Sequence, residues 1–92
     1  MILSQTKTEA EVAVLQELVS EFNIVLYNDD VNTFDHVINC LVRICNHEPL
    51  QAEQCAWIVH LNGRCSVKTG IYNELEPLCL QLIENGLSVK LE

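Results

Sequence analysis

The stretch Tyr27-Asn28-Asp29-Asp30-Val31-Asn32-Thr33-Phe34 constrains this chain more than any other. Positions 28–32 hold two carboxylates and two carboxamides. Such side chains hydrogen-bond nearby backbone and tolerate unusual dihedral angles, so they mark a turn. The strand-like run Asn23-Ile24-Val25-Leu26-Tyr27 enters it, and a helical pattern leaves it. The chain must therefore pass from strand to helix here. The stretch reads either as a turn with a helix cap or as a cluster of acceptors on a rigid corner, suited to gripping a cation.

The flanking segments supply the rest of the architecture. Residues 1–7 read as a frayed terminus. Thr8-Glu9-Ala10-Glu11 has the spacing of a capping box, and Val12, Leu15, Leu18, Val19 and Phe22 form a stripe behind it. That stretch is either a docked helix or an arm that orders on a partner. After the acidic turn, Asn32 or Thr33 caps a helix running to about Asn46, with Val37, Cys40, Leu41 and Ile44 facing inward. Pro49 suits the first position of a second helix, which Asn62-Gly63 ends. Residues 64–71 alternate as a strand, with Cys65, Val67, Thr69 and Ile71 on one face and Arg64, Ser66 and Lys68 on the other. A third core helix follows Asn73, its start limited by Pro77, and stops at Asn85-Gly86. Leu87, Val89 and Leu91 mark a last, half-exposed strand.

The order β-α-α-β-α-β predicts an α+β fold. Three helices would pack on one face of a small three-stranded antiparallel sheet, with an N-terminal helical extension. Residues 1–21 would form the extension and residues 22–92 the domain.

Composition narrows the functions available. The chain has 92 residues and a net charge of −8, from 13 acids against 5 bases. That disfavours nucleic acid and anionic membrane surfaces, which need basic patches, and suits a cationic ligand or a basic partner. No apolar run approaches a membrane-spanning length. The five cysteines are odd in number, and Met1-Ile2-Leu3-Ser4-Gln5 has no basic n-region, so reduced thiols and a cytoplasmic location are expected. Cys40 and Cys45 fall where the apolar stripe needs core residues, and there is no Cys-x-x-Cys pair, so no metal site is expected. No Gly-rich phosphate loop accompanies the carboxylates, and the cysteines sit on apolar faces. Neither an enzyme nor a cofactor is expected. His60, closing the second helix beside Val59, is either a capped or core imidazole or a ligand-binding group.

Asn28-Asp29-Asp30 after an apolar strand, Val37 one turn into the next helix, Val59-His60 closing the second helix, and a final Lys90-Leu91-Glu92 together resemble the ClpS family. The similarity covers roughly residues 22–92. The family comprises adaptors that deliver N-degron substrates to the Clp AAA+ protease. The resemblance implies that Asn28, Asp29, Asn32 and His60 bind a substrate's free α-amino group, with Asp30 holding the turn or adding negative potential. It implies an apolar pocket for the first side chain (Phe, Tyr, Trp or Leu), walled by Phe34, Val37, Ala56, Val59 and Leu87. The implied partners are N-degron peptides and proteins and the N-terminal domain of a Clp-type unfoldase. This sequence departs from the family pattern at Asn32, where Thr is common, and at Phe34 and Ala56, where Met is common. The segment after Gly63 is also shorter, and residues 1–21 do not align. The alternative is a non-proteolytic interaction domain with a fold like the ribosomal stalk protein's C-terminal domain.

Overall fold

The computed structural model describes residues 7–92; all but the last residue of the frayed terminus read over residues 1–7 lies outside the described residues. The elements are α1 (Glu9–Val19), β1 (Glu21–Tyr27), α2 (Phe34–Ile44), α3 (Pro49–Asn62), β2 (Arg64–Ile71), α4 (Tyr72–Glu84) and β3 (Val89–Leu91). The sheet has the order β2-β1-β3 and is antiparallel throughout. The fold is the expected α+β arrangement of a three-stranded sheet covered by helices.

β1 is central because Ile24, Val25 and Leu26 are all buried. Such a run needs cover on both edges and on its apolar face. Glu21 pairs with Ile71 and Tyr27 with Arg64 on one side, while Ile24 pairs with Leu91 and Leu26 with Val89 on the other. The strand starts at Glu21, before the predicted Asn23. Glu21 and Phe22 find partners in Ile71 and Gly70, and the Phe22 ring packs edge-on against Tyr72 at 5.6 Å. Ile24 and Leu26 join Cys40, Leu41, Ala52, Leu75 and Leu82 in one core cluster.

The helix limits follow their capping chemistry. Thr33 caps α2 by accepting from the His36 N–H at 3.2 Å. Pro49 opens α3, and Gly63 closes it at φ +91°, a left-handed conformation that glycine adopts without a side-chain clash. α4 departs from expectation. It begins at Tyr72 and runs through Pro77. The proline N–H that is missing would have bonded the Asn73 carbonyl, and Asn73 is exposed, so water can satisfy that carbonyl.

β2 also departs. Ile24 pairs with Lys68 but Val25 pairs with Ser66, so Val67 is an extra residue in the strand. Val67 stays buried, and the residues beyond it change face. Thr69 and Ile71 are exposed rather than facing the core. The Ser66 and Thr69 hydroxyls both donate to Asn23 Oδ1, at 2.9 and 2.7 Å, which fixes the new face. The buried His47 ring donates through Nε2 to the Val67 carbonyl at the bulge.

α1 is capped by Thr8, which accepts from the Glu11 N–H at 3.1 Å. It rests against α4 but buries none of its residues. Leu15 and Val19 of the expected stripe are exposed, while Val12 and Leu18 are half-buried.

All five cysteines are free thiols. Cys40, Cys45, Cys55 and Cys79 are buried, and Cys65 is half-buried. Burial pushes the Cys45 thiol up to about 11. Burial, reinforced by neighbouring Cys65, pushes the Cys55 thiol up to about 12. Thiolates are the reactive form. Titrating native protein with a thiol-specific disulfide reagent should therefore label Cys65 first, with the other four reacting only after denaturation. Rapid labelling of Cys45 or Cys55 in native protein would contradict this packing.

Candidate functional site

The turn after β1 is pinned from three sides. Asp29 is its centre. Asp29 Oδ1 accepts the backbone N–H groups of Val31 and Asn32, both at 2.9 Å. Its Oδ2 accepts the Asn32 side-chain amide at 2.8 Å and the Ser88 hydroxyl at 3.0 Å. The Asn32 amide also donates to the Gly86 carbonyl at 2.9 Å. The Asn28 N–H donates to the Gly63 carbonyl, also at 2.9 Å. These bonds tie the turn to the end of α3 and to the segment between α4 and β3. On α2, His36 donates through Nε2 to the Asn85 carbonyl at 2.7 Å, which holds the end of α4 beside the same corner.

A pocket of about 320 Å³ opens against this turn. Its polar side holds Asn28, Asp29, Asp30, Asn32 and His60, and its apolar side holds Phe34, Val37, Ala56, Val59 and Leu87. Every residue singled out from the sequence thus lies at one pocket. Leu26 and Tyr27 complete the lining and were not singled out. They end β1, and their place next to Asn28 is the signal by which they could have been found.

The two carboxylates divide their work. A carboxylate offers about four lone-pair sites, and Asp29 fills its two oxygens with two donors each. It is the residue that holds the turn. Asp30, expected either to hold the turn or to add negative potential, is exposed and makes no side-chain hydrogen bond among the described residues. Asn32 uses its amide nitrogen on Asp29 and Gly86, which leaves its Oδ1 as a free acceptor among the described residues. The side chains of Asn28 and His60 are likewise uncommitted among the described residues. The pocket therefore presents free acceptors on one side and hydrocarbon on the other.

Hydrogen bonds also set the charge of the turn. The Asn32 backbone N–H, then the Asn32 side chain, the Val31 N–H and the Ser88 hydroxyl, hold the Asp29 carboxyl below its ordinary value, while burial opposes them. Asp29 is thus firmly ionised and adds a negative charge behind the acceptors.

The comparisons with known proteins come down on one family. Residues 17–90 match the family model described as ATP-dependent Clp protease adaptor protein ClpS. The chain belongs to the ClpS family. It is 30% identical over 81 residues to the ClpS adapter of a Synechocystis species, covering 84% of this chain and 80% of that one. It is 31% identical over 62 residues to the ClpS adapter of Treponema denticola, covering 67% of this chain and 61% of the relative's length. In three dimensions it resembles Agrobacterium tumefaciens ClpS2 solved with bound L-phenylalaninamide. That match has a TM-score of 0.72 and 19% identity, and it covers 80% of this chain and 96% of the other. Membership in the ClpS family displaces the stalk-type alternative.

In this ClpS-family chain, the Asp29 turn should be a measurable source of stability. Asp29→Ala removes four hydrogen bonds to a charged acceptor, from exposed and part-buried donors, and should cost about 1–3 kcal/mol in urea unfolding at neutral pH. The folded carboxyl titrates below its unfolded value of about 3.9, so its contribution is complete above that pH. It is lost as pH falls through the lower folded value. The stability gap between wild type and Asp29→Asn should accordingly shrink as pH drops from about 5 to about 2. A gap that is constant over this range would contradict an ionised keystone.

Proposed function

We propose that this chain is a non-catalytic, cytoplasmic adaptor that recognises the first residue of a polypeptide and delivers the polypeptide to a Clp ATP-dependent protease. One observation carries the reading. The free acceptors of Asn28, Asn32 and His60 and the apolar wall of Phe34, Val37, Ala56, Val59 and Leu87 meet in a single pocket. An N-terminal Phe, Tyr, Trp or Leu carries an ammonium group and a large apolar side chain on the same α-carbon. L-phenylalaninamide, the molecule bound to the Agrobacterium ClpS2, is such a ligand.

The chemistry divides between the two sides. The α-ammonium has three donors, which suit the carboxamide oxygens of Asn28 and Asn32 and the neutral His60 imidazole. Asp29 orients Asn32 and, with Asp30, supplies negative potential. An internal Phe or Leu has no ammonium group and would leave these acceptors unpaired. Burying the first side chain contributes roughly 1.5–3 kcal/mol, whereas micromolar binding takes about 8 kcal/mol. Charge-assisted hydrogen bonds at roughly 1.5–3 kcal/mol each supply the difference. Neither side suffices alone. The unfoldase partner would dock through its N-terminal domain on a surface away from the pocket.

Fluorescence anisotropy with labelled peptides tests the reading. A peptide beginning with free Phe should bind at least about 100-fold more tightly than its N-acetylated form, as for two lost charge-assisted hydrogen bonds. Equal affinities would exclude recognition of the amine.

A further inference from the structure

Trp57 is the chain's single tryptophan and no lining residue of the pocket. It lies one helical turn before His60 on α3, so the two side chains share a face. Three rings meet there. The Phe34 centroid is 4.8 Å from Trp57 and 5.4 Å from His60, and Trp57 and His60 are 6.0 Å apart. Phe34 is the first residue of α2 and is 38% exposed. A half-exposed aromatic at a helix start has several staggered rotamers open to it. Trp57 and His60 pack on its ring and restrict that choice. Ala56 adds only a methyl group to the lining, so the position of the Phe34 ring governs the shape of the wall.

From this geometry we infer that Trp57 is a positioning residue, which holds the Phe34 ring against His60 so that the apolar wall and the amine acceptor are fixed relative to each other before the ligand arrives. The inference rests on the proposed recognition of an N-terminal residue and names what pre-organises that pocket. Trp57 itself is 48% exposed, so its removal should spare the core.

A double-mutant cycle on the full chain tests it, with a labelled peptide beginning with free Phe as the probe. Trp57→Ala should weaken binding about tenfold, in line with lost aromatic contacts, while Trp57→Phe should stay within about threefold of wild type. Because Trp57 acts through Phe34, adding Trp57→Ala to Phe34→Ala should cause little further loss. In the absence of peptide, Phe34→Ala should shift the Trp57 emission to the red, with circular dichroism confirming an intact fold. Wild-type affinity in Trp57→Ala, or losses that simply add, would overturn the positioning role. Additive losses that depend on the peptide's second residue would point instead to direct contact with the ligand. If the wild type itself fails to bind the free-amine peptide, the recognition reading falls first and takes this inference with it.

Discussion

The structure depends on one carboxylate. Asp29 accepts four hydrogen bonds, from two backbone N–H groups, one carboxamide and one hydroxyl. They join the end of β1, the approach to α2 and the segment leading into β3. The bond to Asn32 Nδ2 fixes which way that side chain faces, and so which of its atoms remains free. Thr33 then caps α2, and Phe34 starts it with its ring at the pocket mouth. A change at Asp29 would move an acceptor, a helix start and an apolar wall together. Turn stability and the shape of the site are therefore one property here.

The same bonds explain how an acidic corner can be both stable and available. Two adjacent carboxylates repel each other, and the cost falls when donors stabilise one charge and solvent screens the other. Asp29 is supplied with donors and its ionised form is favoured, while Asp30 faces solvent. The charge behind the pocket is thus fixed in place without occupying the acceptors that line it. The cationic ligand proposed for the site would meet a preformed field rather than a side chain that must first be ordered. The net charge of −8 works in the same direction at longer range.

Much of this was legible in the sequence, wherever local chemistry decides the outcome. Thr33, Pro49 and Gly63 set helix limits by capping rules that hold in any context. The acidic turn and Val59-His60 carried the family resemblance, and the structure gathers those residues at one pocket. Decisions made by tertiary packing were not legible. The Val67 bulge carries no Gly or Pro to announce it; it follows from the pairing of Asn23 with both Ser66 and Thr69 and from the His47 ring on the Val67 carbonyl. Pro77 argued for a later start to α4, but an exposed Asn73 carbonyl removes the penalty. The roles of Asp29 and Asp30 depend on turn dihedrals that spacing does not determine. Trp57 went unnoticed because α3 carries apolar residues on its outer face as well as its inner one, with Leu50, Trp57, Ile58 and Leu61 all exposed.

The most direct measurement of the central claim is a two-dimensional amide NMR titration of isotope-labelled protein with L-phenylalaninamide. Saturable shifts should be confined to residues 26–34, to the end of α3 around Ala56, Val59 and His60, and to Leu87. Residues that line a separate cavity, such as Gln51 and Lys68, should stay unmoved. An unperturbed spectrum, or shifts centred away from the acidic turn, would contradict it.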